Sequence, residues 1–194
     1  MGQRQDLLAG AKRCIAEKGY SRTTARDITA ASGANLAAIG YHFGSKEALL
    51  NAAVLESFDE WGTAIEQARI GSEAAEPLAR LEQFLEGFLA GSVEQRATLV
   101  ASVQAFAEAE FAPQVQEQLA ATYERNRRSI AAMLLDIEPT AVDEAGRQLG
   151  SLVLAVIIGT ALQWLIEPEA TPSASALIAA VSALAMANGP GGSG

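Results

Sequence analysis

Apolar positions along this chain recur three and four residues apart, block after block. Glycine, proline or short polar side chains stand between the blocks. That spacing is the period of an amphipathic helix. Few runs of Val, Ile, Thr and aromatic residues alternate with polar ones, so strands are poorly supported. The pattern predicts an all-α fold.

The first helix is expected over residues 4–18, with Leu7, Leu8, Ala11, Cys14 and Ile15 on its inner side and Lys18-Gly19 at its end. Thr24 then stands three residues before Asp27, the spacing of a capping box, and Ile28 and Ala31 give the next helix one apolar face. Gly33 interrupts that helix. Asn35 is placed to cap another, which sends Leu36, Ile39 and Phe43 towards a core and Ala37, Ala38, Gly40, Tyr41 and His42 elsewhere. Ser45 caps a further helix opening at Lys46. Two short helices joined by a Gly-containing turn read as a helix-turn-helix, whose second helix enters a DNA major groove.

The helix that starts at Ser45 keeps its period through Leu50, Val54, Phe58, Trp61 and Ile65, to about Arg69. It would connect a small head to a larger body and transmit movement between them. Pro77 suits a first helical turn, and Leu78, Leu81, Phe84, Leu85, Phe88 and Leu89 give an amphipathic helix ended by Gly91-Ser92. Another helix is expected from Val93 to about Glu110. After Pro113, residues 114–135 form a long one carrying Val115, Leu119, Tyr123, Ile130, Met133 and Leu134. Residues 149–166 hold no charge and are just long enough for a membrane span. Gly150, Ser151, Gly159, Thr160 and Gln163 interrupt the segment, and acidic residues flank it without a basic cluster, so a helix buried in a core or in an oligomer interface is expected instead. Ser151, Ala155 and Gly159 recur every four residues, a groove another helix can approach. The last helix spans 173–187 with a small side of Ala176, Ala179, Ala180, Ala183 and Ala187. Residues 188–194 are expected to be a disordered tail.

Charge changes this picture at one end. The net charge is −9, yet residues 1–50 hold seven basic side chains against four acidic ones. A basic head on an acidic body fits a DNA-binding module joined to something else. Arg125, Arg127 and Arg128 make a basic patch in the body, read as a solvated or ion-paired face. With one cysteine no intrachain disulfide forms, and no signal peptide is visible, so a reducing, cytoplasmic setting is expected. Cys14 reads as a buried small hydrophobe. His42 is the only histidine, which excludes a His-based metal cluster. No phosphate loop, metal spacing or nucleophile motif is present, so neither an enzyme nor a cofactor is expected.

The ordered pattern in Gly19-Tyr20, in residues 23–29 and in residues 32–50 resembles the DNA-binding head of the TetR family of transcriptional regulators. The resemblance covers about a quarter of the chain. It implies that Asn35, Leu36, Ala37, Ala38 and Gly40 lie on or beside the groove-facing side of the recognition helix. Tyr41, His42 and Lys46 would contact phosphates, and Thr24 would offer its hydroxyl and the first amides of its helix to another. Arg4, Arg22 and Arg26 are further candidates for backbone contacts. By residue type alone His42 is a plain surface residue. The exposed face of the recognition helix is mostly Ala and Gly, so apart from Asn35 it lacks side chains for bidentate base contacts. The operator would be read partly through DNA shape.

The resemblance also implies an apolar ligand pocket among the body helices. Phe88, Phe106 and Tyr123 are the candidates to line it, although the body aromatics (Trp61, Phe84, Phe111 and Trp164 among them) also serve simply as core. The expected protein has a helix-turn-helix domain at 1–48 and a ligand-binding and dimerisation domain at 49–187. It would be a homodimeric repressor of a near-palindromic operator, released by a small apolar effector, with no membrane partner. Activation of transcription, or a helical small-molecule binder that does not act on DNA, are the alternatives. Within 114–187, the long helix 114–135 and the apolar helix 140–167 are the candidates for a four-helix dimer bundle, and the last helix, 173–187, could replace one of them.

Overall fold

The computed structural model describes residues 2–57, 76–92 and 113–187, together with six positions between 96 and 106. Every described element is a helix, in line with the all-α expectation. Packing divides the chain into two compact units, Met1–Ala64 with Val93–Asn126 and Ile65–Ser92 with Arg127–Gly194. The head expected to end at residue 48 therefore packs as part of a larger unit. Phe58, Trp61, Ile65, Phe111 and the tail 188–194 lie outside the described residues.

In the first unit α1 (Gln3–Lys18), α2 (Ala25–Ser32), α3 (Leu36–Phe43) and α4 (46–57) enclose one core. Leu7, Leu8, Ile28, Leu49 and Leu50 are buried to 2% or less. Full burial of such a side chain stabilises by roughly 1.5–3 kcal/mol, so these five side chains make the head a rigid body. Gly10 permits the tight crossing of α1 on α2. A Cβ there would lie 2.9 Å from the Ser32 Cβ and 3.1 Å from the Ile28 carbonyl oxygen. Gly33 ends α2 at φ 71°, a left-handed conformation that glycine adopts without strain.

The second unit contains α5 (Pro77–Gly91), the end of α6 (Pro113–Leu135), α7 (Glu144–Ile166) and α8 (Ala174–Ala187). Leu81, Leu85 and Phe88 are the buried stripe of α5, which packs on α8; Leu78, expected on that stripe, is 42% exposed. Arg80 reaches from α5 to the end of α6, donating to the Leu134 carbonyl at 3.0 Å and to Asp136 at 3.3 Å. Asp136 stands at φ 56°, and the Ile137 amide returns to the Ala132 carbonyl, so α6 closes in a Schellman turn.

The small residues of α7 are covered unequally. A Cβ on Gly150 would lie 2.0 Å from the Arg127 carbonyl oxygen, so α6 and α7 cross with their backbones in contact. The groove of Ser151, Ala155 and Gly159 is uncovered within the single chain: Ser151 and Ala155 are exposed, and a Cβ on Gly159 meets nothing within 4 Å. Leu152 is 63% exposed and Ile166 84%. By length and composition α7 could cross a membrane. The small side of α8, with Ala176, Ala179, Ala180 and Ala183, is exposed as well.

Candidate nucleic-acid interface

The capping side chains set the geometry of the head. At the start of α2, Thr24 and Asp27 complete the capping box: the Asp27 amide donates to Thr24 Oγ1 at 3.2 Å, and the Thr24 amide donates to Asp27 Oδ2 at 2.9 Å. The Thr24 hydroxyl also donates to Asp27 Oδ2, at 2.7 Å. Lys18, at the end of α1, donates to Asp27 Oδ1 at 2.5 Å. That bond, with the two from Thr24, holds the Asp27 carboxyl well below the usual carboxylate range, and it raises the Lys18 ammonium. A carboxylate thus already sits at the amide end of α2. The hydroxyl that Thr24 was expected to offer to a phosphate is engaged within the cap.

Asn35 caps α3, its Oδ1 accepting from the Ala38 amide at 2.9 Å. A bidentate contact to adenine would use the same oxygen. From this start α3 turns Leu36, Ala37, Gly40 and Tyr41 outward, with Leu36 57% and Tyr41 86% exposed. Two expectations are corrected here. Leu36 does not enter the core, and Ala38 does: it is 5% exposed and packs beside Ile39. The inner side of this eight-residue helix runs through Ala38, Ile39, His42 and Phe43, which places Leu36 on its outer edge. Phe43 is half-buried and packs against the core as expected, and the Arg4 guanidinium lies over its ring, 5.2 Å from the centroid.

Tyr41 and His42 meet edge to face at 4.9 Å, with Tyr41 fully outward and His42 half-buried. Lys46 donates to the Thr23 carbonyl at 3.3 Å and pairs with Glu47 at 3.2 Å, so it ties the start of α4 to the turn before α2. Other cations of the head also close helix ends. Arg22 Nε donates to the Lys18 carbonyl at 2.6 Å, and Arg13 donates to the Ala31 carbonyl. Arg26 is exposed. Arg26, Asn35, Leu36, Ala37, Gly40 and Tyr41 are exposed on α2, α3 and the turn before α3, Thr24, His42 and Lys46 are tied into caps, ring contacts and bonds at the helix ends, and Ala38 is buried away from the surface. The roles of Arg4, Arg13 and Lys18 in fixing the head were not read from the sequence. Each bond joins residues far apart in the chain, without a local signal.

The candidate pocket residues fall into both units. Phe106 and Tyr123 meet edge to face at 5.8 Å in the first. Phe88 is buried in the second with Leu81 and Leu85. Cys14 is buried, and burial and the nearby carboxylates of Asp27 and Glu17 push its thiol up, away from the reactive thiolate.

Known proteins match both parts of the chain. A family model described as bacterial regulatory proteins, tetR family, matches residues 7–53. A second, described as BetI-type transcriptional repressor, C-terminal, matches residues 77–187, more than half of the chain. The chain belongs to the TetR family. Within this family of regulators, the HTH-type transcriptional repressor AcnR of Corynebacterium efficiens is 45% identical over 56 residues, 29% of this chain and 30% of AcnR. An HTH-type transcriptional repressor of Mycobacterium tuberculosis is 33% identical over 82 residues, 42% of this chain and 44% of its own length. These alignments span less than half the length of either curated relative. Among solved TetR-like structures, a transcriptional regulator from Rhodococcus sp. Rha1 has a TM-score of 0.71 at 19% identity, covering 95% of this chain and 96% of its own. A regulator from Saccharomonospora viridis, in complex with choline, has a TM-score of 0.68 at 24% identity, covering 95% and 96%. These structures share the TetR fold.

Proposed function

We propose that this TetR-family protein is a cytoplasmic, homodimeric transcriptional repressor that binds a near-palindromic operator and leaves it when a small apolar molecule binds the body. The observation that carries the reading is the outward face of α3, where Leu36, Ala37, Gly40 and Tyr41 stand clear of a rigid core. Asn35, Leu36, Ala37 and Gly40 approach base edges, with short side chains that allow close contact to thymine methyls. Arg26, Tyr41, His42 and Lys46 hold phosphates, and Thr24 reaches one by exchanging its bond to Asp27 for it. Phosphate contacts of this kind position the protein, while base edges and DNA shape specify the site. The helix-turn-helix lies within residues 1–48, α4 packs with it, and the body helices within 49–187 carry effector and dimer functions. Repression rather than activation is favoured by the curated relatives, which are named repressors.

Two helices carry the dimer. Most of the exposed side of α6 is polar, with Gln116, Glu117, Gln118, Arg125 and Arg128 beside Ala120, Ala121 and Leu135, whereas α7 and α8 leave mainly apolar and small side chains uncovered. Leu152, Leu162 and Ile166 of α7 and Leu184 and Met186 of α8 are exposed large hydrophobics. A second copy pairing through α7 and α8 would bury these in a four-helix bundle. The same surface could face lipid, but recovery in the soluble fraction without detergent is expected. For the effector, the aromatic pair Phe106–Tyr123 and the buried Phe88 are the best candidates for contact, and the choline complex of the S. viridis regulator supports an effector-binding body. The test is retention of genomic fragments by the purified protein at about 0.15 M salt. One or a few fragments with inverted half-sites about 34 Å apart should be enriched. No enrichment above background would remove the DNA-binding reading.

A further inference from the structure

A cleft of about 330 Å³ opens within the first unit, between α1, α4 and the first half of α6. That volume is at the small end for ligand sites and holds roughly ten water-sized groups. Phe106 and Tyr123 are not among its lining residues, so it is separate from the aromatic pair. Its apolar side is Leu8, Ala52, Leu55 and Ala121, and its polar side is Arg4, Gln118, Thr122 and Arg125. Glu56 completes the lining, but its carboxylate is already held by Lys12 at 2.7 Å and Gln5 at 2.9 Å. Burial pushes Glu56 up and these bonds outweigh it, leaving the carboxyl below its ordinary value and ionised. Arg4 and Arg125 thus line a partly apolar cleft: Arg125 also donates to Thr122 Oγ1 at 2.9 Å, and Arg4 adds its charge to that of Lys12 beside Glu56.

We propose that this cleft is a binding site for a small organic carboxylate, its apolar tail on Leu8, Leu55 and Ala121 and its carboxylate on Arg125 and Arg4. Arginine suits the role because its planar fork pairs with both carboxylate oxygens. The placement also gives the site a route to the recognition helix. Arg4 lies over the ring of Phe43, the last residue of α3, so an anion that draws Arg4 towards the cleft loosens that contact. A ligand there would also clamp α6 to α1 and α4. This regulatory consequence rests on the DNA-binding reading; the binding itself does not.

The experiment is calorimetry on the full chain with benzoate as probe and benzamide as its neutral counterpart. Benzoate should bind saturably and benzamide at least ~10-fold more weakly, the loss expected for a charge-assisted contact. Arg125→Gln should weaken benzoate by ~10-fold or more, and Ala121→Trp should abolish binding by filling the cleft. Both positions are exposed, so the variants should fold, which circular dichroism checks. Gln118→Glu, which adds a like charge, is a third variant expected to weaken benzoate. Absence of saturable heat up to ~10 mM, equal binding of benzamide, or unchanged binding in the variants would overturn the site. Failure of the benzoate-free protein to bind any duplex, with benzoate binding intact, would sink the DNA-binding reading and leave the site standing.

Discussion

Thr24 is fully engaged in the structure. Its hydroxyl accepts from the Asp27 amide and donates to the Asp27 carboxylate, so the start of α2 depends on it before any DNA arrives. Replacing such a cap by alanine costs typically about 1 kcal/mol. Thr24→Ala should therefore lower the urea midpoint of the protein, and Thr24→Ser, which keeps the hydroxyl, should restore most of it. If Thr24→Ala weakens duplex binding while leaving the midpoint unchanged, the hydroxyl acts on phosphate and the cap is unimportant. This cap was legible in the sequence because both partners lie within four residues. So were the cap from Asn35 and the left-handed Gly33. The exchange of Leu36 and Ala38 was not legible. On a helix of eight residues, side-chain size suggested that leucine pointed inward, whereas the inner face is set by the neighbours of Ile39, and alanine is the side chain that fits there.

At the scale of the helix, α4 is fastened to the head at three heights. Lys46 bonds the Thr23 carbonyl, the buried Tyr20 hydroxyl donates to Asn51 Oδ1 at 2.5 Å, and Glu56 takes Lys12 and Gln5 of α1. With Leu49, Leu50, Ala53 and Val54 in the common core, the described part of α4 moves with α1–α3 as one piece. A lever attached this firmly would pass displacement to the recognition helix with little loss in bending. The central bond is the most sensitive, because Asn51 is 7% exposed and Tyr20 9%, leaving little room for water to replace the donor. Removing one partner of a buried hydrogen bond costs roughly 1–3 kcal/mol. Tyr20→Phe should destabilise by that amount. A double-mutant cycle with Asn51→Ala should show a coupling of similar size in urea denaturation. Additive losses would mean that the two side chains stabilise the head separately. Periodicity in the sequence gave the helix and its buried stripe, but the fastening required the tertiary structure. Tyr20 and Asn51 are 31 residues apart, and each alone reads as an ordinary core or surface residue.

Over the whole molecule, two glycines of α7 separate internal packing from the surface left for a partner. Gly150 is pressed against the Arg127 backbone, whereas Gly159 faces open space along the line of Ser151, Ala155 and Leu162. The uncharged stretch 149–166 was visible in the sequence, but its period could not say which small residues faced inward. All sides of the helix are apolar, and only the crossing with α6 breaks that symmetry. The outward line of α7 and the exposed alanines of α8 are apolar faces that water solvates poorly, and faces of this kind argue for a partner. If that partner is a second copy, a charge placed there is harmless in the monomer and costly in the dimer. Leu152→Glu and Ala180→Glu are both at exposed positions and should preserve helicity and single-chain packing. Each should weaken dimerisation by ~2 kcal/mol or more, a shift of ~30-fold in the dissociation constant. Light scattering over a dilution series would then show monomer where the parent protein is dimeric. Operator affinity should fall with the dimer, since each head alone retains only its own half-site. A parent protein that is already monomeric at ~100 µM, or variants that dimerise as well as the parent, would place the contact elsewhere and leave the apolar faces of α7 and α8 without this explanation.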